Sequence, residues 1–149
     1  MIRRARHIGA VALALLALTA CDDGAGPAPN APEPIFRSAS AEPGSANTPV
    51  RFARTVLQTA CIDTQPDFQG ATRALARAGG FAQSAKTGTF FHQRYDMSVK
   101  VVPGRCSMVV GTSGARDSLA QLGTLNSVQT GVPRVFGGRS YYAFFVSGA

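Results

Sequence analysis

Proline placement limits what this chain can fold into. Six of its nine Pro residues fall between Pro27 and Pro49, interleaved with Ala, Ser, Gly and Asn. Ile35 and Phe36 are nearly the only large apolar residues there. Such a stretch cannot bury enough surface to offset chain entropy, so the reading is a disordered tether. Residues 22–48 would reach about 30 Å as a flexible coil and about 80 Å fully extended. What folds must follow it. Of 149 residues, the last hundred or so remain, enough for one modest core.

The start reads as an address. Arg3, Arg4 and Arg6 precede an apolar run over 8–20 that is rich in Ala and Leu. A membrane-spanning helix needs about 20 apolar residues, so this run is too short. A positive flank, a short apolar core and small residues at its end describe a secretory signal peptide over 1–20. Its last three residues and the one that follows, Leu18-Thr19-Ala20-Cys21, resemble the lipobox of bacterial lipoproteins. The resemblance implies that Cys21 becomes the first mature residue and carries acyl chains. Two or more chains anchor stably where one does not. The protein is then expected at a bacterial membrane, facing the periplasm. Asp22 resembles the inner-membrane retention residue of enterobacterial lipoproteins. The organisation expected is a signal peptide at 1–20, a lipidated Cys and tether at 21–48, and a folded domain at 49–149.

Charge divides at the same place. From 21 to 47 there are four acidic residues and one basic, a net of −3. From 48 onward there are eleven bases and four acids, a net of +7. An acidic tether therefore carries a basic domain. Nucleic acid is the usual partner of basic charge, but export argues against it. Anionic lipid headgroups, polyanionic wall material or an acidic envelope protein are the expected counterparts.

Within the domain the apolar spacing changes period. Phe52, Val56, Leu57, Ala60 and Cys61 predict a helix over 51–61. Phe68, Ala71, Leu75 and Ala78 predict a second over 67–78, ended by Gly79-Gly80. Alternation then predicts antiparallel strands over 89–94, 97–102 and 106–112, with turns at Tyr95-Asp96 and Pro103-Gly104. A short helix is expected over 113–122. A hairpin follows, with strands at 132–136 and 140–146 about Gly137-Gly138. The last strand is apolar on both faces, so it should be central or covered. The fold class expected is α+β: a mostly antiparallel sheet, two N-terminal helices and one short later helix. The stretches Cys61-Ile62-Asp63-Thr64-Gln65-Pro66-Asp67-Phe68, Thr87-Gly88-Thr89 and Cys106-Ser107-Met108-Val109-Val110 resemble small exported domains of alphaproteobacteria. That resemblance implies no site residues.

With Cys21 assigned to lipid, Cys61 and Cys106 remain. An even remainder in an oxidising compartment suggests a disulfide. Closing a loop of about 45 residues is worth about 4 kcal/mol on the chain-entropy model. The alternative is a thiol enzyme, in which Cys106 or Cys61 acts with His92, oriented by Asp96. Asp63 and Asp67 suit cap and turn roles better than acid–base work. Ser107 and Ser113 lack a nucleophile-elbow context. Close ligand pairs of the zinc type are missing, and no cofactor or metal is expected. Arg51, Arg54, Arg73 and Arg77 form the candidate basic surface. The function expected is a lipid-anchored envelope protein with a small non-catalytic binding domain. A small periplasmic thiol enzyme and a structural subunit of an envelope complex are the alternatives.

Overall fold

The computed structural model describes residues 37–38, 40–114 and 116–148. The signal segment, the lipobox with Cys21, and Asp22 lie outside the described residues. Among the described residues, eight strands form one sheet: β1 (Arg37–Ser38), β2 (Phe81–Ser84), β3 (Phe90–His92), β4 (Met97–Val102), β5 (Arg105–Thr112), β6 (Val128–Thr130), β7 (Arg134–Phe136) and β8 (Arg139–Ser147). Their order is β1-β2-β3-β4-β5-β8-β6, and β7 also pairs with β8. β1 runs parallel to β2 and the other pairs are antiparallel, so the sheet is mixed.

The expected α+β fold, with two N-terminal helices leading a mostly antiparallel sheet, is corrected here to a mostly-sheet domain. The first described element is a strand. The 51–61 segment is a seven-residue helix, α1 (Val50–Val56), which widens at once into a π-helical turn (Leu57–Ile62). Its wide pitch shows in the Asp63 amide, which donates five residues back to the Gln58 carbonyl at 2.8 Å. Thr55, Thr59 and Thr64 hydroxyls bond carbonyls four residues back, competing with the regular ladder. The 67–78 segment is helical only from Ala71, as α2 (Ala71–Ala78). Phe68 sits before it at a left-handed φ of 58° and is buried all the same. The later helix is also short, α3 (Arg116–Ala120), followed by a 3₁₀ turn (Gln121–Thr124).

Residues 37–48 also differ from the expected tether. Arg37 and Ser38 pair with Gln83 and Ser84. The Gly44 amide donates to the His92 carbonyl at 2.8 Å, and the Ala46 amide to the Arg94 carbonyl at 3.1 Å. The Asp96 amide donates back to the Ala46 carbonyl at 2.9 Å. Backbone bonding orders this segment, and side-chain composition does not report it. Gly44 is needed there, because a Cβ would collide with the Arg94 carbonyl group.

Register sets the core. Phe90 pairs with Val99, Val99 with Met108, and Met108 with Phe144. All four are buried, forming one apolar row across four strands. Leu57, Ala60, Leu75, Leu119 and Leu122 join that core from the helical segments. Each large buried side chain contributes about 1.5–3 kcal/mol by leaving water. β8 is central, with β5 along one edge and β6 and β7 each pairing with it along the other, as its apolar faces require.

Candidate functional site

The two remaining cysteines meet in the core. Cys61 lies on the π-helical turn and Cys106 on β5. Their Cα atoms are 5.4 Å apart and their sulfurs lie at disulfide-bonding distance. Both side chains are fully buried. The pair ties the first helical segment to the middle of the sheet across 45 residues of sequence.

His92 is elsewhere. Cys106 pairs with Val101, whereas the β3–β4 pairing reaches His92 past Phe91↔Ser98, toward the Met97 end. At about 3.3 Å per residue, that offset of four residues alone is about 13 Å. The imidazole is buried and boxed by aromatic rings. Tyr95 stacks on it with centroids 4.6 Å apart, while Phe52 and Phe81 meet it edge-on at 5.1 and 5.0 Å. Its Nδ1 accepts from the backbone amides of Arg94 and Tyr95, at 3.1 and 3.0 Å. That lone pair is therefore used, and the neutral ring carries its proton on Nε2. Burial lowers the pKa below 6.5, and the nearby Arg94 guanidinium lowers it further. Gly80 borders the Nε2 side. It adopts φ +72°, and a Cβ there would lie 2.7 Å from Nε2.

Asp96 does not orient His92. Its Oδ2 accepts from Arg139 Nε at 2.7 Å. The same guanidinium donates to Asn47 Oδ1 at 3.2 Å, and Ser113 donates to that oxygen through its amide and hydroxyl. Thr48 donates to the Asp96 carbonyl at 3.2 Å. Four separate segments converge on this network. Gly111 makes room for it, since a Cβ would collide with the Asp96 carboxylate.

Of the four arginines of the expected basic surface, Arg51 and Arg54 lie on α1 and Arg73 and Arg77 on α2. Arg51, Arg54 and Arg77 are exposed and Arg73 is half-buried. Arg77 lines a groove of about 300 Å³ with Thr55, Thr59, Ala74 and Ala78. Arg54 lines another of about 260 Å³ with Val50, Gln121, Leu122, Thr124 and Leu125. The two grooves share no residue. Asp63 accepts from the Gln58 side chain at 2.6 Å and Asp67 from the Gln69 amide at 3.1 Å, both local turn contacts. Among the described residues, no group of three or more His, Cys, Asp or Glu is placed to hold a metal ion. No described helix is long and apolar enough to cross a membrane.

One surface feature escaped the sequence reading. Val132, Val135 and Phe136 are 85, 65 and 79% exposed, all at the β7–β8 hairpin. The available signal was a Val-Phe pair set beside a Gly-Gly turn. Compared with family models, curated proteins and solved structures, the chain has no match.

Proposed function

We propose that this chain is a lipid-anchored protein of a bacterial envelope, held by acyl chains on Cys21. It presents a small basic binding domain on the periplasmic side. The observation that carries the reading is Leu18-Thr19-Ala20-Cys21 behind an arginine-flanked apolar run of signal-peptide length. Asp22 favours retention at the inner membrane. Binding rather than chemistry is supported by the places taken by the reactive side chains. Cys61 and Cys106 face each other in the core, and Asp96 is engaged by Arg139. The His92 lone pair is occupied by two amides. The net of +7 from residue 48 onward supports an anionic counterpart, either an envelope surface or an acidic envelope protein.

Acylation is tested by feeding labelled palmitate to cells expressing the full chain. Label is expected on the wild-type protein and not on Cys21→Ser. Equal labelling of the two, or none on either, contradicts the reading.

A further inference from the structure

The β7–β8 hairpin reaches beyond the core. Arg134, Val135 and Phe136 are all exposed. Val135 pairs with Ser140 and Phe136 with Arg139, so the two apolar side chains point to opposite faces of the ribbon. Gly137 and Gly138 make the turn with φ of 54° and 73°, which leaves its tip without side chains. Val132 and Pro133 add apolar surface on the approach. From residue 118 to 149 there is no Asp or Glu. Asp96, which meets this hairpin, is already neutralised by Arg139. Arg134 is thus an exposed cation beside an apolar wedge.

We propose that this hairpin is a membrane-contact element, which sinks Val132, Val135 and Phe136 into the interface of an anionic bilayer with Arg134 among the headgroups. Two observations choose lipid over a protein partner. A protein surface docked on one face of the ribbon leaves the other apolar face in water, whereas a bilayer interface surrounds the tip. The hairpin sequence also offers positive charge only, which fits anionic headgroups. The inference deepens the anchored reading, which supplies the nearby membrane.

The sequence contains no Trp, so Phe136→Trp places a single indole at the tip. The full chain carrying this change is mixed with phosphatidylglycerol vesicles or phosphatidylcholine vesicles, each with brominated acyl chains. Flotation reports anchoring and indole emission reports the hairpin. The expected result is a blue shift and bromine quenching on phosphatidylglycerol. Both should weaken on phosphatidylcholine, in high salt, or with Arg134→Gln. They should be lost with Val132→Ser and Val135→Ser together. These positions are exposed, and an unchanged thermal transition verifies that the variants fold. A shift on phosphatidylglycerol without flotation on phosphatidylcholine supports the hairpin while sinking the acyl anchor. Flotation with unshifted emission overturns the hairpin inference and leaves the anchor standing. A shift that follows protein concentration without vesicles also overturns it, in favour of a second copy as the occupant.

Discussion

His92 illustrates how a residue's surroundings settle its role. Two amides hold its Nδ1 and three aromatic rings enclose it, so protonation costs both hydrogen bonds and a desolvated charge. Its folded pKa lies below the unfolded value of about 6.5. The unfolded chain therefore takes up the proton first as pH falls. The contribution of His92 is fully present above pH 6.5, declines below it, and levels off beneath the folded pKa. Urea titrations at pH 8, 6.5 and 5 should show this decline, and His92→Gln should flatten it. An equal slope in the variant would contradict the assignment. Gly80 gives a second residue-scale test. Gly104 shares its positive φ, but a Cβ there meets nothing within 4 Å. Gly104→Ala should cost about 1 kcal/mol. Gly80→Ala should cost about 1–3 kcal/mol more, because the new methyl strikes the His92 ring. Equal costs would show that the ring yields freely. None of this was legible in the sequence. A lone His on a strand is compatible with catalysis or packing, and only the turn after β3 brings the two amides onto its ring.

Among elements, legibility followed the strength of local periodicity. β4, β5 and β8 have long alternating or doubly apolar runs, and all three lie where the pattern places them. β1 and the 40–48 segment carry no such pattern, because they are ordered by backbone hydrogen bonds to β2, His92 and Arg94. The π-helical turn was hidden for another reason. Its buried residues, Leu57, Ala60 and Cys61, fit a regular helix as well as a widened one. The cysteine pairing was readable from a simple count, whereas the Asp96–Arg139–Asn47–Ser113 network joins positions too distant in sequence to be associated. Two predictions belong here. Phe144 is fully buried, while its neighbour Phe145 is half-buried on the other face of β8. Phe144→Ala should cost about 3–5 kcal/mol and Phe145→Ala clearly less, by chemical denaturation. Reversed costs would mean that the opposite face is the covered one. Replacing Cys61 and Cys106 together by Ala should remove about 4 kcal/mol on the loop-entropy account, before any loss of packing. A variant as stable as the wild type would show that the bridge constrains nothing.

At the scale of the whole molecule, sequence pattern and fold speak to different parts of the chain. The first 21 residues carry the proposed address, and the described residues between 37 and 148 hold a mostly-sheet domain whose buried cysteines face each other. The proposed address rests on a local pattern of charge, apolar run and Cys21, and needs no tertiary information to be stated. The surface of the domain was not legible, because its grooves depend on where the helical segments lie and its apolar hairpin on where the sheet leaves it. The central claim is an acylated chain that starts at Cys21 and keeps Cys61 and Cys106 bonded. It is tested most directly by the intact mass of the membrane-extracted protein, alkylated without reduction. The account predicts a chain from Cys21 to Ala149 with added acyl mass and no alkyl label until a reductant is supplied. A chain that keeps residues 1–20, lacks acyl mass, or takes up alkyl groups without reduction would contradict it.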